Sequence, residues 1–78
     1  MSQETFAEYI ARLRACEKLS ESDRNIAADQ LEAWEKEGNE SGNYLKYYTW
    51  IDGILCAFIW HRTSQGHDFW SKIHNAGF

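Results

Sequence analysis

No apolar run in this 78-residue chain is long enough to cross a bilayer: the longest, Ile54 to Trp60, has seven residues, against the roughly 18–20 that a spanning helix needs. The opening stretch, MSQETFAEYI, lacks the basic and apolar segments of a secretory signal, and the expectation is a cytoplasmic protein. Its two cysteines, Cys16 and Cys56, are then expected as buried thiols, since disulfides belong to oxidising compartments. Lys and Arg are nowhere clustered on one segment, so the basic footprint of a nucleic-acid-binding protein is missing. Phosphate-cradling loops of the G-x-x-x-x-G-K or G-x-G-x-x-G type are absent, as is the G-x-S-x-G elbow of serine hydrolases.

What remains is a chain sized for one domain, residues 1–78, rich in large apolar groups. Four Trp, four Tyr and four Phe contribute to a hydrophobic content of 44%, which belongs to a folded protein. So short a chain leaves about 35–40% of its unfolded surface exposed, and rings that find no cover mark a surface for a partner or for homo-oligomerisation. The net charge of −4 is unevenly placed. Residues 1–40 hold ten acids against five bases, whereas residues 41–78 hold two acids against three bases. Acidic mimicry of a nucleic-acid backbone is one reading of the first half, and a solvated helix face is the plainer one.

Helical periodicity dominates residues 1–38. Phe6, Tyr9, Ile10, Leu13 and Cys16 form one apolar stripe. Ser20, with Asp23 three residues on, offers an N-cap for a second helix from about Glu21 to Glu37, whose stripe is Ala27, Leu31 and Trp34. A short connection makes the two an antiparallel helical hairpin, with Gly38-Asn39 as the stop and residues 39–43 as a polar linker. Residues 44–78 carry nine of the twelve aromatics. Within them, YLKYYTWIDGILCAFIW can be read as a helix with Leu45, Tyr48, Ile51, Leu55 and Phe58 on one face, or as two strands turning at Asp52-Gly53. A lone two-stranded ribbon is unstable without packing. The helix is therefore preferred, and the fold expected is mainly α, with α+β and a hairpin at Asp52-Gly53 as the alternative.

HRTSQGHDFW, His61 to Trp70, is the one stretch dense in chemically capable groups. Thr63 suits an N-cap, Gly66 leaves room for a neighbouring ring or backbone, and Phe69, Trp70 and Ile73 anchor a helix over about 64–76. No metal centre is expected: His67 and His74 fall on one helix face about 10.5 Å apart along the axis, whereas zinc needs ligand nitrogens about 2.0–2.1 Å from one ion. A triad of Ser64, His61 or His67, and Asp68 would lack an identifiable oxyanion hole. Cys56 lies in an apolar run that would hold its thiol protonated. Neither an enzyme nor a cofactor is expected.

The segment AFIWHRTSQGHDFWSKI, residues 57–73, resembles a C-terminal motif of small uncharacterised proteins of tailed phages and prophages. The matching positions are Phe58, Trp60, Thr63, Gly66, His67, Phe69, Trp70 and Ile73, with Ser64 standing where the motif often carries proline. The resemblance implies a phage accessory protein, a class that often binds and inhibits a host protein or defence component; it implies no activity. The function expected is non-enzymatic docking on a host protein, using Tyr47, Tyr48, Trp50, His61, Arg62 and His67, because aromatic and arginine side chains dominate interface energetics. Trp60, Phe69 and Trp70 are expected in the core. An oligomer sequestering a nucleotide, with rings for stacking and Arg62, Lys46 or Lys72 for phosphate, is the alternative.

Overall fold

Among the described residues, three helices and one antiparallel hairpin follow in the order α1 (Phe6–Arg14), α2 (Glu21–Glu37), β1 (Tyr44–Ile51), β2 (Ile54–His61) and α3 (Ser64–Asn75). The computed structural model describes residues 2–37 and 44–78. The expected stop at Gly38-Asn39 and the 39–43 linker lie outside the described residues.

The helices start where their side chains cap them. In α1, Glu8 N–H donates to Thr5 Oγ1 at 3.1 Å and Thr5 N–H donates to Glu8 Oε1 at 3.0 Å, a complete capping box. These bonds from Thr5 hold the Glu8 carboxyl below its ordinary range. In α2, Asp23 N–H donates to Ser20 Oγ at 3.1 Å. The two helices bury Tyr9, Ile10 and Leu13 against Ala27, Ala28, Leu31 and Trp34, and Arg14 crosses from one to the other to reach Asp29 at 2.7 Å and Glu32 at 2.6 Å.

Residues 44–61 overturn the expected mainly α fold. They form a two-stranded antiparallel sheet, so the architecture is α+β. Asp52 (φ 53°) and Gly53 (φ 80°) both take positive φ, as a primed two-residue turn requires, and the register runs from Ile51 opposite Ile54 to Tyr44 opposite His61. The helical reading failed because nearly every position is apolar, so period 3.6 and period 2 fit equally well. Its supposed stripe is split: Leu55 is buried while Leu45, Ile51 and Phe58 are exposed.

Packing on one face answers the objection that a lone ribbon is unstable. Tyr44, Leu55, Ala57 and Ile59 are buried on the inner face, where Trp34 stacks on Tyr44 at 3.8 Å and Phe6 meets Tyr48 edge-on at 5.9 Å. Trp34 continues the ring contacts to Trp70 of α3, which is buried together with Ile73.

Glu4 binds this hairpin to α1. Its N–H donates to the Gly53 carbonyl at 2.8 Å, its carboxylate accepts from Leu55 N–H at 3.0 Å, and its carbonyl accepts from Trp50 Nε1 at 2.9 Å. Arg12 closes the clamp, donating to both Glu4 oxygens at 3.0 and 3.1 Å and to the Leu55 carbonyl at 3.2 Å. At the other end of β2, His74 Nε2 lies 3.3 Å from both Ile59 N and Ile59 O. Backbone groups of Leu55 and Ile59 on the outer edge of β2 are thus occupied by side chains, which partly blunts that edge against strand addition.

Two outcomes follow. Glu4→Ala should lower stability by about 1–3 kcal/mol, mainly through the stranded Leu55 N–H and the hydrogen bonds lost from Arg12; urea denaturation checks this. Burial, with the Glu35 carboxylate adding to it, pushes the Tyr48 hydroxyl up to about 12. Because the folded value is raised, stability should be intact below pH 10 and fall as pH climbs toward 12. Tyr48→Phe should flatten part of that decline in alkaline unfolding curves.

Candidate docking face

Strand alternation divides the hairpin into two unlike surfaces. Even positions of β1 and odd positions of β2 face the helices. The outer face carries Leu45, Tyr47, Thr49 and Ile51 from β1, paired across the register with Trp60, Phe58, Cys56 and Ile54 from β2. None of these eight side chains is charged. Tyr47 is 64% exposed, and Leu45, Ile51, Ile54, Phe58 and Trp60 each lie between 49% and 55%. Six large side chains, each leaving about half its surface to solvent, present on the order of 500–600 Å² of apolar area. That is the upper end of what monomeric proteins expose as one patch.

Bulk along this face is graded. Leu45 beside Trp60 and Tyr47 beside Phe58 fill the open end of the hairpin, Thr49 beside Cys56 makes a slim row, and Ile51 beside Ile54 closes the turn end. The Tyr47 and Phe58 rings are 6.3 Å apart. Along β2 the open end is walled by α3, whose His67, Ser71 and His74 recur at helical spacing and form, with the sheet residues, a groove of about 440 Å³. Phe58 lies 6.1 Å from the His74 ring.

Of the six residues expected to bind a partner, two are brought together. Tyr47 and His67 both line the groove. Arg62 is exposed in the connection to α3. Tyr48 is half-buried on the inner face, and Trp50, also of inner-face parity, spends its indole N–H on Glu4. His61 serves the helix start: its Nδ1 accepts from Thr63 N–H at 3.3 Å and lies 3.0 Å from Thr63 Oγ1. Trp60, expected in the core, is 52% exposed because its parity turns it outward, and Phe69 is only partly buried.

The polar cluster of residues 61–70 builds structure. Gly66 N–H donates to Thr63 Oγ1 at 3.1 Å, the N-cap bond of α3. A Cβ on Gly66 would overlap the His61 ring, so a side chain there must displace that ring. Among the described residues no three His, Cys, Asp or Glu side chains converge as metal ligands. Cys16 and Cys56 are free thiols, both half-buried. Cys56 Sγ points to the Ile54 carbonyl at 3.8 Å.

No family model, curated protein or solved structure matches this chain. The outer face is uncharged, and its large exposed side chains are aromatic and aliphatic. Leu45, Ile51, Ile54, Phe58 and Trp60 were not among the residues expected on a docking surface, Trp60 being assigned to the core and Leu45, Ile51 and Phe58 to a helix face. A signal was present, since a hairpin with apolar residues at both parities must leave one apolar face outward.

Gly66→Ala should lower stability by about 1 kcal/mol by displacing the His61 ring from Thr63. In His61→Ala/Gly66→Ala the clash is gone and alanine's helix preference, about 1 kcal/mol over glycine, should restore stability. Thermal denaturation of the four-member cycle measures the coupling.

Proposed function

We propose that this protein is a non-enzymatic docking module that engages another protein through the outer face of its hairpin. The observation that carries this reading is the concentration of six half-exposed large apolar side chains on one uncharged face, where burial is worth roughly 25 cal/mol per Å² before the costs of association. The resemblance of residues 57–73 to tailed-phage proteins directs the reading to a host protein in the cytoplasm. Among the described residues no helix is long and apolar enough to cross a membrane.

Two alternatives have weaker footing. The groove falls within the size range of small-molecule sites, yet two of the three cations expected to hold a phosphate are engaged elsewhere. Lys46 donates to the Trp34 carbonyl and sits 3.6 Å from Glu35, and Lys72 pairs with Asp23 at 3.0 Å. Acidic mimicry requires a continuous row of free acids, whereas Glu4, Asp23, Asp29, Glu32 and Glu35 all hold cations.

Tyr47→Glu should abolish capture of the partner from host lysate with the fold retained by circular dichroism, whereas Glu17→Ala, on the acidic half, should leave capture unchanged. Capture that survives Tyr47→Glu and Trp60→Ala alike would place the binding surface elsewhere.

A further inference from the structure

The same face has an occupant that its own geometry describes. We propose that, when no other protein covers it, the outer face is closed by a second copy of this chain. Two hairpins stack face to face about a two-fold axis, their strands antiparallel, so that the turn end of each lies over the open end of the other. This inference rests on the reading of the outer face as a docking surface and names its resting partner.

Bulk, area and charge support it separately. In this arrangement the slim Thr49 and Cys56 row meets Tyr47 and Phe58 of the second copy. The Ile51 and Ile54 row meets Leu45 and Trp60, with Ile54 seated against the groove wall formed by α3. Bulky rows thus interdigitate with slim ones at the usual spacing of stacked sheets, about 10 Å. Every such contact occurs twice, as an isologous interface requires. The two faces together remove about 1,000–1,200 Å² of apolar surface, which reaches the lower bound of stable interfaces before the rim is counted. Residues 44–61 hold only two charges, Lys46 and Asp52. Lys46 is turned to the inner side onto Trp34 and Glu35. Asp52, exposed at the turn, is carried to the end of the second copy where Arg62 is exposed. Most of the chain's acids lie on α1 and α2, which pack behind the inner face and away from the contact.

The test is sedimentation equilibrium over a range of concentrations, with mixing of two face variants. Wild type is expected to associate to twice the 9.1 kDa chain mass. Ile54→Glu and Trp60→Lys, both at half-exposed positions that leave the core intact, should each weaken association about 100-fold, since every dimer carries the change twice. Mixed together, the two variants should recover association, because the new glutamate faces the new lysine at one site while the other site keeps its native Ile54 and Trp60. Dimers insensitive to both variants, or variants that fail to recover on mixing, overturn this arrangement. A wild type that stays monomeric at its highest soluble concentration overturns the second copy as occupant. If that monomer still captures a partner in a Tyr47-dependent way, the docking reading survives alone; if it captures nothing, both fall.

Discussion

A two-stranded sheet has two faces, and among the described residues the helices pack on only one of them. The inner face needs that cover: Tyr44, Leu55, Ala57 and Ile59 are buried there, and without such packing a two-residue turn and a single ladder of hydrogen bonds would not hold the strands in register. Trp34 and Trp70 carry the contact from the sheet through α2 to α3, so the hairpin and the helices stabilise one another. The outer face is what this arrangement leaves over. Among the described residues its large apolar side chains stay about half exposed.

Closing the structure around one face also decides where charge and polarity go. Glu4 and Arg12 occupy backbone groups at the turn end of β2, and His74 does so at the open end. Cross-helix pairs such as Arg14 with Asp29 and Glu32 keep acids on the helical side. Exposed pairs of this kind add little to stability, yet their placement leaves the outer sheet surface free of charge, which is the condition for apolar association.

The residue types usually associated with chemistry turn out to hold the frame. His61, Thr63 and Gly66 form a compact helix start in which a ring, a hydroxyl and a missing side chain fit one another. The large exposed apolar side chains are instead Tyr47, Phe58, Trp60 and the isoleucines of the turn end. These are residues that composition alone would assign to a core.

Local signals in the sequence determined the helices and their starts. Thr5 with Glu8, Ser20 with Asp23, and Thr63 with Gly66 each satisfy backbone donors within a few residues, so nothing distant is needed to read them. The same holds for the turn potential of Asp52-Gly53. Tertiary structure decided the conformation of residues 44–61, because a run apolar at nearly every position fits both helical and strand periods and only packing against Trp34, Phe6 and Glu4 selects one. It decided, too, which rings are buried: Trp70 is enclosed while Trp60 faces solvent, two tryptophans ten residues apart, separated by strand parity in one case and helix face in the other.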